Sequence, residues 1–575
     1  MSLQTNKDQN ILILDGDQFS TLSIVRSLGR KGLNITVAAA TDNAICRYSK
    51  YVDNFFTYPN PLINTEEFYK TIFEQLNSGN YTLIIPVTEL TTLPLAKIRD
   101  KIEPKIALAI AENDALEQVI DKSKTFVLAE KLGVPIPKGY PLTQQQDLQD
   151  CIDNIQYPIV IKPTRSIAGA ENDIRAKFNV DYAFNKIELQ KKANALFKTS
   201  EIILQEYFEG VGVGIELIAD HGQIIHAFQH QRQHELPLTG GGSCLRKSVA
   251  ITPQLLQYSE ALIKALNWHG VAMVEFKHNE STGQSCLMEI NGRFWGSLPL
   301  AVSSGSDFPW YLYQLLINQT HPNQFQSATG HLSRKIQEDL YWYIQVIFRR
   351  NDNPLIKWPK TSQLFKDLLS TFHYKHHFDA FNYQDLKPGF IELGRTFSWL
   401  YSLISEFLNK KSLYKKHLKI KQNQVLKKQL KQSENILFLC YGNINRSAAA
   451  EYIYLQQNTI PKLKVQSAGF HPINKRPADP NMISIAQENG VDMLSSSSSI
   501  VDTQMLDTAD MIFAMEIEHL IRLNSEHPQY SDKAYLLGSL NPDPKSPLEI
   551  SDPYGSLLEE YRACFQQIKS SVKTL

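Results

Sequence analysis

Apolar and polar positions in the first ninety residues follow the rhythm of an open α/β sheet. A short apolar run at 10–15, a helical period over 19–31 and a second run at 35–40 predict a βαβ start. Positions 81–87 predict a further buried strand. A helix is predicted from 121 to 132, with Asp121 or Ser123 as its N-cap and Gly133 closing it. Strands are predicted at 157–163 and 202–208, and two more within 270–297, joined by a hairpin at Gly283. From 309 to 372 the pattern is helical and rich in aromatics, whereas 373–398 has no readable period and no internal repeat stands out. A strand at 436–439, followed by a helix from Arg446, opens a separate unit.

A chain of 575 residues exceeds one core, and the pattern predicts domains at 1–115, 116–330, 331–433 and 434–575. The 59 basic and 59 acidic residues cancel, so no global attraction to nucleic acid is written into the chain. Six scattered cysteines without a CxxC pair point to a reducing, cytoplasmic compartment. The start lacks the apolar core of a signal peptide, and no apolar run is long enough to span a bilayer. Residues 407–433 hold nine lysines and no Asp or Glu. That composition reads either as a solvated helical linker or as an interfacial helix making a peripheral membrane contact, with Trp399 and Tyr401 as anchors.

Candidate chemistry concentrates first in GVAMVEFKHNESTGQSCLMEINGRFWGS, residues 270–297. Strand alternation puts Glu289 and Asn291 on one face, with Glu275 on the neighbouring strand. Two carboxylates and an amide oxygen form a hard donor set suited to Mg2+ (or Mn2+) that also holds phosphates. Arg293 continues the alternation as a cation for a phosphate or acyl-phosphate oxygen. Solvated acids on an ordinary hairpin are the alternative. Thr88 and Glu89, in the loop leaving the strand at 81–87, are substrate-side candidates or simply polar loop residues.

With its upstream context, MEINGRFWGS after VEF resembles the metal-binding end of the ATP-grasp ligases, a likeness covering roughly the first 330 residues. It implies a Rossmann-like pre-ATP-grasp domain followed by α+β ATP-grasp domains, with ATP and Mg2+ bound. It also implies activation of a small-molecule carboxylate as an acyl phosphate for transfer to an amine. By that resemblance Lys124 supplies a cation ahead of the nucleotide and Lys162, at a strand end, reaches the phosphates. The loop TRSIAGAEND would cradle phosphate with Gly169 as its one glycine. Glu206 or the backbone of Phe208 would meet adenine. Where the family often has a ribose acid this chain has Val213, with Glu216 as a substitute. His230, Arg232 and the glycine loop at 240–242 would hold the carboxylate substrate, or form a solvent hairpin.

The unit from Glu434 opens with ENILFLCYGNINRSAAAE, a strand ending in Cys440 and a C-x5-R-S spacing. A loop wrapped into a helix N-terminus presents N–H groups and the positive end of the dipole to an oxyanion. That field favours Cys440 as a thiolate nucleophile. Arg446 offers a planar fork to two phosphate oxygens, Ser447 a donor to the thiolate, and Asn443 a brace for the loop. Asp552, in Asp552-Pro553-Tyr554, is the general acid that the loop itself lacks. Together with VQSAGF, RPADP and ADMIFAME, these landmarks make 434–575 resemble the low-molecular-weight protein tyrosine phosphatases, whose fold is a doubly wound parallel sheet. The resemblance implies a phosphocysteine intermediate and a phosphorylated protein or small-molecule phosphoester as substrate. Two departures stand out: Asn445 where many members have a second cysteine, and Ala448 in place of proline. Cys564 lies past Asp552-Pro553-Tyr554, far along the chain, and so is not expected to replace that second cysteine.

The expectation is thus an α/β multidomain fusion of a carboxylate–amine ligase and a phosphatase. A nucleotide-sensing ATP-grasp module that regulates the phosphatase is the alternative.

Overall fold

The apolar runs of the N-terminal part become five parallel strands in a computed structural model. It describes residues 9–164, 167–168, 176–177, 180–197, 201–321, 327–457 and 462–575, and divides the chain into the units Met1–Phe397 and Ser398–Leu575. Strand order in the first sheet is Asn54–Thr57, Asn34–Ala39, Asn10–Ile13, Tyr81–Ile85 and Ala107–Leu108. The helix Phe19–Arg30 connects the strands Asn10–Ile13 and Asn34–Ala39. Ile11, Ile13, Val37, Leu83 and Ile85 are fully buried, which is why these short runs carry no polar alternation.

Further sheets follow in the same unit, among them a four-stranded antiparallel one and a larger one that is antiparallel except for its last pair, which is parallel. The smaller is ordered Asp181–Ala183, Ile159–Pro163, Ile202–Glu206, Gly139–Leu142. The larger has seven strands: Ser285–Asn291, Gly270–His278, Val211–Asp220, Gln223–Leu236, Gly242–Val249, Leu332–Arg334 and His376–Phe378. Its last two strands lie beyond the boundary expected at residue 330, and the sheet continues through 378. The stretch 373–398 that shows no period is held by buried ion pairs instead. Arg26 donates to Asp385 at 2.9 Å and to the carbonyl of Ala380 at 2.6 Å, and Arg246 pairs with Asp379. Pairing partners hundreds of residues apart leave no signature in local periodicity.

In the second unit, four parallel strands are ordered Lys464–Gly469, Asn435–Cys440, Met511–Ala514, Ala534–Leu536. Helices Arg446–Gln457 and Leu558–Val572 pack over the sheet's core. The lysine-rich segment is not a free linker here. Within the helix Lys387–Asn423, Leu413, Leu418 and Ile420 pack against this unit's cores, as do Leu426 and Leu430 beyond it. Lys421 donates to the carbonyl of Ser546 at 2.7 Å, and Lys410 pairs with Glu518 at 2.7 Å. The boundary expected at 433 falls in the turn between the helix Leu426–Leu430 and the strand Asn435–Cys440, but the packed segment ahead of it belongs to the same unit. Of the two aromatic anchors, Tyr401 is exposed and Trp399 half-buried. Among the described residues no helix is long and apolar enough to cross a membrane.

Candidate active sites

In the larger sheet of the first unit, Glu275 and Glu289 stand directly opposite each other on paired strands. Asn291 donates from its amide to Glu289 at 3.2 Å, which leaves its own oxygen available as a ligand. Each carboxylate has a cation. Arg232 reaches Glu275 at 2.5 Å, and Lys122 lies 3.5 Å from Glu289. Glu289 is held at about 2: burial opposes ionisation, but Lys122, Lys162, Arg293 and the Asn291 amide outweigh it. Burial raises Glu275, and the neighbouring Glu289 charge adds to that despite Arg232. The donor set, two facing carboxylates and an amide oxygen ringed by cations, fits a divalent metal with polyanionic phosphate.

Lys162 faces the same cleft from the smaller sheet, and burial, only partly offset by Glu289 and Glu275, lowers its ammonium to about 8. Gln205 lies on the same face of that sheet as Lys162, by register through Ile203. It is fully buried, and neither its amide oxygen nor its nitrogen has a partner. An orphaned donor–acceptor pair in this place suits the edge of a base. Sequence reasoning missed it in favour of Glu206, although a second polar residue at the end of the apolar run in IILQEYF was a signal. Glu206, one residue on, pairs loosely with Lys138 at 3.6 Å, its N–H donates to the Lys138 carbonyl at 2.9 Å, and Phe208 follows the strand end.

Other expected residues are placed differently. Lys124 is on the outer side of its helix and pairs with Glu117 at 3.1 Å, so Lys122 is the cation this helix sends to the carboxylates. Glu216 is fully buried, accepting from Ser297 at 2.5 Å and lying 2.8 Å from His230, which removes both Glu216 and His230 from any ribose or substrate surface. Arg293 pairs with Glu89 at 3.1 Å, linking the start of the helix Glu89–Lys97 to the end of the hairpin that carries Glu275 and Glu289. Thr88 caps the helix beginning at Glu89. Arg232 also donates to the Gly241 carbonyl at 2.9 Å, beside a cleft of about 410 Å³ lined by Tyr207, Arg232, Gly240 and Lys277. Gly169 and most of the expected phosphate loop lie outside the described residues.

In the second unit the loop after Cys440 closes tightly. The Asn443 N–H donates to the Cys440 sulfur at 3.1 Å, and the Ser447 hydroxyl lies 2.9 Å from it. Asn443 takes left-handed backbone (φ 51°) and its side chain ties three partners: Ser447 at 2.9 Å, Ser467 at 2.8 Å and the N–H of Ser499 at 2.7 Å. The loop presses on the neighbouring strand at Gly469, where a Cβ would sit 2.6 Å from the Tyr441 carbonyl oxygen, so only glycine fits. Arg446 is buried and splits its fork, donating to Asp552 at 2.7 Å and to Glu516 at 2.6 Å. Glu516 was not singled out from sequence, though it ends the ADMIFAME landmark. Burial works against the guanidinium charge, but Cys440, Asp552 and Glu516 hold its pKa above the ordinary value. A cavity of about 240 Å³ opens over Cys440, walled by Tyr441, Asn445, His471, Arg476 and Tyr554. Such an arrangement holds a tetrahedral oxyanion over a sulfur, with a carboxyl group opposite.

Residues 435–575 match the family described as low molecular weight phosphotyrosine protein phosphatase, and residues 198–338 match ATP-grasp in the biosynthetic pathway with Ter operon. The low molecular weight protein-tyrosine-phosphatase Wzb of Escherichia coli (strain K12) is 33% identical over 139 residues, 24% of this chain and 90% of its own length. The carbamoyl phosphate synthase large chain of Clostridium acetobutylicum is 20% identical over 196 residues, 32% of this chain and 17% of its own. N5-Carboxyaminoimidazole synthetase from Staphylococcus aureus aligns in structure with TM-score 0.48 and 15% identity, over 65% of this chain and all (100%) of that one.

Proposed function

This chain belongs, through residues 435–575, to the low molecular weight protein-tyrosine-phosphatase family and also carries an ATP-grasp ligase domain, and from that premise we propose one enzyme with two chemistries. The first unit binds ATP with Mg2+, activates a small-molecule carboxylate as an acyl phosphate and joins it to an amine. Bound Mg2+ would supply charge neutralisation for the phosphates and the developing acyl phosphate. Glu275, Glu289 and Asn291 hold it. Lys122, Lys162 and Arg293 face the phosphates, while Gln205, Glu206 and the Phe208 backbone meet the base. Arg232 and Lys277, beside the glycine loop, orient the carboxylate. The facing carboxylates, each with its own cation, carry this reading. A search for candidate acids and amines that release ADP and phosphate tests it. A regulatory nucleotide sensor would bind ATP without such turnover.

Lys162 gives the nucleotide site a pH dependence with a definite sign. Its charged form binds phosphate and is present below about 8. ATP affinity is therefore full below that value and weakens as pH rises through it, by at most ~10-fold per pH unit. Lys162→Arg should flatten the profile, and calorimetric ATP titrations across that pH range check both.

The second unit hydrolyses a phosphomonoester through Cys440. Arg446 grips the transferring phosphoryl group, Ser447 and Asn443 position the sulfur, and Asp552 protonates the leaving oxygen. Peroxide attacks such a thiolate, forming an S–O bond as the O–O bond breaks and giving a sulfenic acid. Cys564 shares the buried cluster with Cys440, so remoteness along the chain is not what keeps it from resolving that species. Its thiol is pushed by burial up to about 12 and stays protonated, whereas exchange needs the thiolate. Peroxide inactivation should be only partly reversed by dithiothreitol, and Asn445→Cys should improve recovery. Full recovery in the wild type through a Cys440–Cys564 disulfide would refute this.

A further inference from the structure

Four side chains outside both sites converge at the far end of the strand that pairs with the metal hairpin. Asp220 ends the strand Val211–Asp220, and His221 follows in its turn. His269 immediately precedes the strand Gly270–His278, and His321 comes from a third segment. One Asp220 oxygen lies 3.1 Å from His269 Nδ1 and 3.9 Å from His221 Nε2, and the other lies 2.8 Å from His321 Nε2. The ligand atoms of Asp220, His221 and His269 all fall within 4.8 Å of one another. The His221 and His269 rings stack with centroids 4.4 Å apart.

Three features single this group out from an ordinary polar cluster. Donors on a tetrahedral Zn2+ at about 2.0–2.1 Å sit roughly 3.3 Å apart, within the spread of approaches seen here. His269 Nδ1 is buried and faces a carboxylate oxygen of Asp220 3.1 Å away, an approach that two ligands of one ion would share. His221 holds left-handed backbone (φ 42°) in a hairpin turn, a position where Asn or Gly is the usual occupant.

We propose that Asp220, His221 and His269 bind one Zn2+, with water completing the tetrahedron, in a site that ties together two chain segments of the ATP-grasp domain, while His321 braces the second oxygen of Asp220 from outside. The donor set, two imidazoles and one carboxylate, favours Zn2+ over the harder Mg2+. The site is separate from the metal hairpin's carboxylates. Gly270 pairs with Ala219 and Glu275 with Gly214, five residues along the strand, roughly 16 Å away. His221 and His321 are open to solvent, so the ion can load into the folded chain.

The test uses the full-length protein, stripped with a chelator and titrated with Zn2+ against a chromophoric competitor. One Zn2+ per chain is expected, together with a rise in the melting temperature of the first unit. His269→Asn should weaken binding by more than ~100-fold, above the 10–100-fold typical of outer-shell partners, and abolish the thermal shift. His321→Asn, at an exposed position that does not threaten the fold, removes the partner of Asp220's second oxygen and should weaken binding ~10-fold, the scale of an outer-shell partner. His377→Asn is the control. It removes a histidine from the stacked His331–His377 pair elsewhere in the unit, and should leave Zn2+ affinity unchanged. No saturable Zn2+ binding in the wild type, or equal affinity in the His269 and His321 variants, would overturn the site. Loss in the His377 variant alone would place the zinc at that pair instead and overturn it equally. ATP turnover is not the readout, so a failure here is distinct from a failure of the ligase reading.

Discussion

Cys440→Ser is expected to abolish hydrolysis of aryl phosphates, by at least ~10⁴-fold, the scale of removing a covalent nucleophile. Binding of phosphate should persist, because the anion nest does not depend on sulfur. The Asn443 N–H, the Arg446 fork and the start of the Arg446–Gln457 helix all remain in place. Asp552→Asn should behave differently. A general acid is worth about 10²–10⁴-fold, and only where the leaving oxygen needs a proton. Substrates with poor leaving groups should lose that much, while those with good ones lose little. In the resting site Asp552 is tied to Arg446 at 2.7 Å, so an incoming phosphate must replace one bond of that pair and thereby free the carboxyl group. Equal losses for both substrate types would remove Asp552 from the role of acid.

Glu289→Gln should lower ATP turnover at least ~100-fold, the cost of losing a major electrostatic stabiliser, with phosphatase activity unchanged in the same preparation. The substitution keeps shape and removes one charge. It leaves Lys122, 3.5 Å from Glu289, and the nearby Lys162 without their shared counter-charge. Nucleotide binding should survive better than turnover, because the freed lysines still attract phosphate while the metal is held by one carboxylate fewer. Raising Mg2+ should recover part of the loss. Wild-type turnover in this variant, measured as ADP release, would sink the metal assignment.

The second prediction rests on residues that the sequence exposed unevenly. Glu275, Glu289 and Asn291 were legible because strand alternation is fixed by backbone geometry over a few residues. Lys124 was the expected cation of the upstream helix, yet Lys122 occupies the place. Residues two apart on a helix point roughly 200° away from each other, so the choice depends on how the helix is rotated against the sheet. That rotation is set by tertiary packing. Glu216 failed for a related reason: within the apolar strand Val211–Asp220 its carboxylate turned inward to Ser297 and His230.

By itself, then, the sequence determined what is local in this protein. The five-residue loop between Cys440 and Arg446, the acid before a rigid proline at Asp552 and the paired acids of the hairpin all follow from short-range covalent geometry. Tertiary structure alone decided what is assembled across distance. It set Arg232 on Glu275 and Glu516 on Arg446, left Gln205 buried and unanswered, and brought Cys564 into the cluster with Cys440. It also continued the larger sheet past residue 330 and packed the lysine-rich helix onto the phosphatase core. Long side chains and apolar faces find their partners by minimising buried charge and exposed area over the whole fold, and no window of sequence contains that sum.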